Sequence, residues 1–316
     1  MSRIAFIIPV RNDPERLARC LSAIARDARS DVVVADNGST DDTPEVARRA
    51  GATVLHLPGL RVSELRNQAA SASNGDVLGF VDADHEISPG WSDAAAEILM
   101  DPAVAAAGAM YTSPARTWVQ TMYGVLRGET RGRRDVAWLG SGNLVVRRTA
   151  FESVGGFDAE LEACEDVDLC QRLRRQGWRI VGDERLRSVH FGDPSTLGAL
   201  FRAERWRGRD NVAVSLRGPL SWRDLPGLAT PIFNLMGVAL ILMSPLGPLI
   251  GVGPLLLAGI GAIVVVGLAL LKAIHIAVRA RRVRPIFLLQ AFAVTFVYHM
   301  ARAFALITRA GHHRNR

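Results

Sequence analysis

Residues 77–84 read VLGFVDAD: five apolar residues run straight into two aspartates separated by one alanine. A short apolar run of this length, bounded by polar turn residues, predicts a buried strand. In open α/β sheets ligands sit at the carboxyl ends of the strands, so Asp82 and Asp84 stand where a ligand would be. Such a pair can share a divalent cation and a ribose or phosphate contact, although solvated carboxylates at a strand end give the same pattern. Upstream, further apolar runs at residues 4–9, 31–35 and 53–57 alternate with helical patterns. Asn12 is expected to cap a helix with Pro14 in an early position and Leu17, Cys20, Leu21 and Ile24 on one face. Residues 36–40, DNGST, are turn chemistry, and Thr43-Pro44 opens a short helix that Gly51 can close in a left-handed cap. A helix over residues 62–72 precedes the 77–81 strand. The alternation predicts βα units around a mostly parallel sheet.

Downstream, residues 127–134 are rich in arginine and glycine and are expected to form a mobile loop able to close over a substrate. Order returns with Gly140-Ser141-Gly142-Asn143, a strand over 144–146, Gly155-Gly156-Phe157-Asp158 and a helix carrying Glu165, Asp166 and Asp168. Carboxylates in a first helical turn complement the helix dipole whatever else they do. The glycine pairs before them allow close backbone approach to a bound group, and a carboxylate at such a place can act as a general base. Asp168 is expected to pair with Arg172, four residues on. His190 is either an edge residue or a metal ligand.

The 316 residues predict two structural units. Their 49% hydrophobic share and mean hydropathy of +0.15 conceal a concentration of apolar residues at one end. Residues 225–271 contain no Asp, Glu, Lys, Arg or His, a length of about 70 Å as helix and two bilayer crossings. We expect spans at 225–243 and 249–271 joined by a turn at 244–248. Residues 286–308, which include Gln290, His299 and Arg302, are either a third crossing or an interfacial helix. The loop bearing Lys272, Arg279, Arg281, Arg282 and Arg284 should be cytoplasmic by the positive-inside rule. The division expected is therefore 1–222 for a catalytic domain and 223–316 for a membrane region. This composition excludes a wholly soluble, disordered or collagen-like chain. Cys20, Cys164 and Cys170 form an odd set without a CxxC, which suggests neither a disulfide framework nor a zinc site and fits a reducing compartment. The N-terminal MSRIAFIIPVRN lacks a signal-type apolar region and cleavage site, so the first domain is expected to stay on the side where it is made. The net charge of +7 is almost wholly arginine and suits anionic lipid heads and nucleotide phosphates. No basic module interleaved with aromatics points to nucleic acid.

The ordered set Ile7-Ile8-Pro9-Val10-Arg11-Asn12, Asp36-Asn37-Gly38-Ser39-Thr40-Asp41, Arg66-Asn67, Asp82-Ala83-Asp84, Gly155-Gly156-Phe157-Asp158 and Glu165-Asp166-Val167-Asp168-Leu169 resembles a family 2 glycosyltransferase of GT-A fold. The resemblance covers about the first 215 residues. It implies an α/β fold with a Rossmann-like, mostly parallel sheet, followed here by helical membrane segments. It further implies that Pro9, Arg11 and Asp13 hold the nucleobase and ribose, with Arg11 standing where the family often has tyrosine. Asp36 and Asn37 match a pair that is commonly Asp-Asp, and Arg66 matches a basic residue near the diphosphate. Asp82 and Ala83 would contact the nucleotide sugar, Asp84 would ligate Mg²⁺ or Mn²⁺, and His190 would complete the metal shell. Asp166 matches the catalytic base, with Glu165 beside it. Arg205-Trp206 resembles the end of the Q-x-x-R-W motif of cellulose and hyaluronan synthases, which places acceptor or diphosphate contacts there; Arg202 occupies the glutamine position.

The implied activity is transfer of one sugar from a UDP- or GDP-sugar, with inversion, to a hydroxyl of a lipid or cell-envelope glycan at the inner membrane. Two alternatives are a polyprenyl-phosphate glycosyltransferase similar to dolichyl-phosphate-mannose synthase and a nonenzymatic sugar-nucleotide-binding membrane scaffold. The scaffold would be expected to lack a base or a metal ligand.

Overall fold

The computed structural model describes residues 3–27, 31–218 and 225–308. The chain divides into two compact units, the first from the described residues of Met1–Pro114 and Gly128–Asp193, the second from those of Ala115–Arg127 and Pro194–His313. The boundary expected at residues 222 and 223 lies outside the described residues.

In chain order the first unit contains β1 (Ile4–Val10), α1 (Pro14–Asp27), β2 (Asp31–Asp36), α2 (Thr43–Arg49), β3 (Thr53–His56), α3 (Val62–Ser71), β4 (Val77–Val81), β5 (His85–Ile87), α4 (Trp91–Ile98) and β6 (Val104–Gly108). After α5 (Trp118–Arg127), which belongs to the second unit, it resumes with β7 (Arg133–Asp135), β8 (Asn143–Arg147), α6 (Arg148–Ser153), α7 (Glu165–Arg175), β9 (Arg179–Asp183) and β10 (Ser188–His190). The main sheet has the order β3-β2-β1-β4-β8-β6-β9-β7. Its first four strands are parallel, β8 runs antiparallel between β4 and β6, β9 is parallel to β6, and β7 is antiparallel to β9.

Register explains why one edge of this sheet collects the polar motifs. Val10 lies opposite Asp36, and Val81 opposite Asn143. Because β8 is reversed, its first residue lies beside the last residue of β4. The Gly140–Gly142 turn is thereby brought to the edge that carries Asp82 and Asp84. Alternate strand residues point to opposite faces. Phe6 and Ile8 join Leu17, Ile24, Trp91 and Ile98 on one side, while Ile7 joins Leu65, Phe80, Leu144, Phe157 and Leu169 on the other. Phe80, Phe151 and Phe157 meet at centroid distances of 5.0 to 5.5 Å. Burial of each such side chain stabilises the unit by about 1.5–3 kcal/mol.

Two local expectations are corrected. Asn12 does not cap α1: it has φ of 51°, and its Oδ1 accepts from the Thr40 backbone N–H at 2.8 Å. Asp13 takes that place, its Oδ1 accepting from Arg16 N–H at 3.3 Å. The stretch at 127–134 is not a plain loop, since Arg127 ends α5 and Arg133 starts β7, whose exposed side chains leave no apolar pattern to read. The expected Asp168–Arg172 pair is present at 2.7 Å.

The second unit holds α5 with α8 (Leu197–Arg207), α9 (Asn211–Leu216), α10 (Leu225–Met243), α11 (Pro254–Arg279) and α12 (Pro285–Ala305). Among the described residues, three segments are long and apolar enough to cross a membrane: Leu225–Leu249, Pro254–Arg279 and Pro285–Ala305. The second starts later than the apolar run suggests because residues 244–250 form a 3-10 turn around Pro245 and Pro248, and it extends past Lys272. Arg302 is not an interfacial charge alone. Its guanidinium pairs with Glu204 of α8 at 2.8 Å, and that buried carboxylate also accepts from Tyr123 of α5 at 2.7 Å and Arg207 at 3.0 Å.

Candidate active site and metal centre

Immediately after β4 the chain turns, with His85 N–H bonded to Asp82 O at 2.9 Å, and enters β5. β5 pairs antiparallel with β10 so that His85 lies opposite His190. Phe191 N–H bonds Asp84 O at 2.9 Å, which closes the two segments around the Asp84 side chain. The result is a cluster in which ligand atoms of Asp84, His85 and His190 all lie within 4.8 Å of one another. Tyr111 packs over both imidazoles, at centroid distances of 5.0 Å to His85 and 4.5 Å to His190.

The donor set fits a divalent cation. His190 Nδ1 faces Asp193 Oδ1 at 2.9 Å, and His85 Nδ1 faces Ser188 Oγ at 2.9 Å, so the outer nitrogen of each ring is engaged from behind. With Nδ1–H donated to Asp193, neutral His190 presents an Nε2 lone pair 3.1 Å from Asp84 Oδ2. Two acceptors at that separation require a proton or a cation between them. A carboxylate with two imidazoles is a mixed oxygen–nitrogen donor set that first-row divalent ions accept, and a carboxylate behind a ligating histidine is the usual support for its orientation. Space is kept by two glycines. A Cβ at Gly142 would stand 2.5 Å from Asp82 Oδ2 and 3.2 Å from His85 Nε2; one at Gly192 would overlap Asp84 Oδ2 and stand 2.8 Å from His190 Nε2. Burial disfavours the charged form of His190, but the hydrogen bonds it donates to the Asp193 and Asp84 carboxylates outweigh it and push the imidazole up to about 8. Burial likewise opposes ionisation of Asp84, yet His190 holds that carboxyl below its ordinary range.

Beside this cluster stands the first turn of α7. Cys164 precedes it in the left-handed region, φ 61°, which turns Glu165 and Asp166 back towards the Gly140–Gly142 turn. Asp166 Oδ2 accepts from Ser141 N–H at 3.3 Å and Oδ1 from Val167 N–H at 2.8 Å. Burial and the neighbouring Glu165 charge push Asp166 far above the carboxylate range, to about 7, against the opposing pull of those two amides. The residue as a whole is half-buried. Glu165 is buried, and its Oε1 accepts from Arg66 Nη1 at 2.7 Å and Ser141 Oγ at 2.9 Å. Arg66 Nη2 reaches Asp82 Oδ1 at 2.6 Å. Arg66 is thus held between two carboxylates, with a side chain only 3% exposed.

The residues expected around the nucleobase stand at neighbouring strand ends. Pro9 lies within β1, which Arg11 and Asp13 follow. Asp36, fully buried at the end of β2, accepts from Ser39 N–H at 3.1 Å and faces His56 Nδ1 at 3.0 Å. Asn37 donates its side-chain amide to Leu60 O at 3.1 Å. Ala83 is buried between the two aspartates. Arg205 and Trp206 belong to α8 of the second unit, where Trp206 is exposed. His85, Tyr111, Ser141 and Asp193 join the site without belonging to any of the motifs that marked the other candidates. The spacing His190-x-x-Asp193 and the position of His85 directly after the second aspartate were the signals available.

The chain matches "Glycosyl transferase family 2" over residues 5–152 and "Glycosyl transferase family group 2" over residues 80–278. This chain belongs to glycosyltransferase family 2. Among relatives of the glycosyltransferase, the N-acetylglucosaminyl-diphospho-decaprenol L-rhamnosyltransferase of Mycobacterium tuberculosis is 30% identical over 273 residues, covering 66% of this chain and 87% of the relative. Glycosyltransferase AglE of Haloferax volcanii is 26% identical over 242 residues, covering 72% and 78%. Among solved structures, mannosyltransferase PcManGT from Pyrobaculum calidifontis, in complex with GDP-Man and Mn²⁺, matches 96% of this chain and 86% of its own at a TM-score of 0.63 and 17% identity. That likeness establishes the GT-A architecture of the glycosyltransferase.

Proposed function

We propose that this glycosyltransferase moves a single sugar from a nucleotide-diphosphate sugar, a UDP- or GDP-sugar, to a hydroxyl of a lipid or cell-envelope glycan, with inversion. Asp166 carries this reading: burial and the Glu165 charge push its carboxyl up to about 7, and it is bonded to the Gly140–Gly142 turn beside Asp82 and Asp84. An acceptor hydroxyl has too high a pKa to attack unaided. As its oxygen bonds to the anomeric carbon and the bond to the diphosphate breaks, Asp166 takes the proton. Ser141 N–H and Val167 N–H fix the orientation of the base during that transfer. Asp84, His85 and His190 would hold Mg²⁺ or Mn²⁺, which supplies positive charge against the charge gathering on the leaving diphosphate. Pro9, Arg11, Asp13, Asp36, Asn37, Asp82 and Ala83 would seat the nucleotide sugar along the strand ends, and Arg205 and Trp206 would meet acceptor or diphosphate.

The three apolar segments support embedding in the cell's inner membrane, and the arginine cluster at 279–284 supports a cytoplasmic catalytic unit. A membrane-borne acceptor fits such an anchor. A phosphate acceptor, already ionised, would not need a base of this strength, so the hydroxyl reading is preferred to polyprenyl phosphate. The stereochemical outcome tests the mechanism. With an α-linked donor, proton NMR of the product is expected to show a β-glycoside, and an α-glycoside would overturn direct displacement by the acceptor.

A further inference from the structure

Arg66 sits on the buried face of α3 with Leu65, Ala69 and Ala70, between the end of β4 and the start of α7. Its two terminal nitrogens are committed to carboxylates from different segments, Nη1 to Glu165 at 2.7 Å and Nη2 to Asp82 at 2.6 Å. The guanidinium also lies 5.6 Å from the Phe157 ring centroid. The next residue secures the same loop: Asn67 donates to Phe157 O at 2.8 Å and accepts from Phe157 N–H at 2.9 Å. A side chain 3% exposed and already bridging two anions offers little surface to a diphosphate.

We propose that Arg66 is a positioning residue, a buried strut that fixes the donor end of the site at Asp82 to the base end at Glu165, Ser141 and Asp166, rather than a ligand of the diphosphate. Its planar fork suits this task, because two donors set at a fixed angle hold two carboxylates in a fixed relation, which a lysine ammonium cannot reproduce. Glu165 relays the constraint: its Oε1 takes Arg66 on one side and the Ser141 hydroxyl on the other, and the Ser141 amide bonds Asp166. Among the described residues, Glu165 and Arg66, of opposite sign, act on Asp166, and the buried Cys170 thiol four residues on also lies within reach of its charge. The inference rests on the transferase reading above, in which Asp166 is the base.

The test uses the detergent-purified full chain, with Arg66→Met, Arg66→Lys and Glu165→Gln. Readouts are kcat, donor KM, the pH profile of kcat/KM and calorimetric binding of UDP and GDP in the presence of Mn²⁺. For Arg66→Met the expected result is a fall in kcat of about 100-fold through misplacement of the base. The acid limb should move to higher pH, because a positive neighbour is lost, and Mn²⁺-dependent nucleotide affinity should stay within about threefold. Arg66→Lys should restore the limb but not kcat. Glu165→Gln, which keeps the side chain's size should Arg66→Met fail to fold, should move the limb to lower pH. Loss of nucleotide affinity by about tenfold or more, with the limb in place, would make Arg66 a diphosphate ligand and overturn the proposal. So would an unmoved limb in Glu165→Gln. Absence of transfer by the unaltered chain from every donor would sink the transferase reading itself; the strut is then judged by nucleotide affinity alone, retained if correct and lost if not.

Discussion

Asp193 is expected to govern metal affinity although it is not placed as a ligand. Its carboxylate is fully buried and faces His190 Nδ1 at 2.9 Å, which orients the ring and, in the neutral imidazole a metal would bind, puts the proton on Nδ1 and leaves Nε2, the nitrogen facing Asp84, free to ligate. Replacing a carboxylate behind a ligating histidine typically costs about 10–100-fold in metal affinity, or about 1.4–2.7 kcal/mol. Asp193→Asn keeps an oxygen able to accept from Nδ1–H and loses only the charge, which places it near the lower end, about tenfold. Asp193→Ala removes the acceptor and frees the ring to rotate, which places it near the upper end, about 100-fold. The assay is titration of Mn²⁺ into the detergent-purified chain, followed by calorimetry or by the electron-spin signal of free Mn²⁺. Glu160→Gln is the control, since that side chain is 89% exposed and should leave affinity unchanged. Unaltered Mn²⁺ affinity in Asp193→Ala, with thermal unfolding showing an intact fold, would refute the assignment of His190 as a ligand held from behind.

Transfer should require deprotonated Asp166, so kcat/KM is expected to rise with pH through an acid limb near 7 and then level off; a limb at an ordinary carboxylate value of about 4 would remove Asp166 as base. Gly192→Ala should abolish Mn²⁺ binding measured by the same titration, because its Cβ would overlap Asp84 Oδ2 and crowd His190 Nε2. In the second unit, Glu204→Gln removes the charge that compensates Arg207 and Arg302, and should lower stability in detergent by about 3–5 kcal/mol, read by thermal unfolding.

The strands were legible because burial on both faces leaves continuous apolar runs: Val77–Val81 was read from end to end, and β1 and β2 were each read to within one residue of their ends. The resemblance to family motifs named Asp84, His190 and Asp166 as candidates, and the fold brings Asp84 and His190 together. The helix cap was not legible, since Asn12 and Asp13 both have capping side chains and only the long-range bond from Thr40 to Asn12 decides between them. The contacts around the Asp84–His85–His190 cluster were hidden for the same reason: His85 meets Ser188 across 103 residues, and Tyr111 reaches His190 only after folding. Glu204 and Arg302 lie 98 residues apart, so neither charge pattern along the chain nor apolar content reveals that one neutralises the other. β7 escaped because a short edge strand with exposed side chains has no periodicity to detect.

Metal-dependent sugar transfer with Asp166 as base is tested by nucleotide release from the detergent-purified chain. The panel is UDP- and GDP-sugars with Mg²⁺ or Mn²⁺ and membrane lipids as acceptors, alongside Asp84→Ala and Asp166→Asn. The expected result is lipid-dependent release from one donor, lost in both variants. Full release by Asp166→Asn, or release unaffected by chelation of the metal, would contradict it.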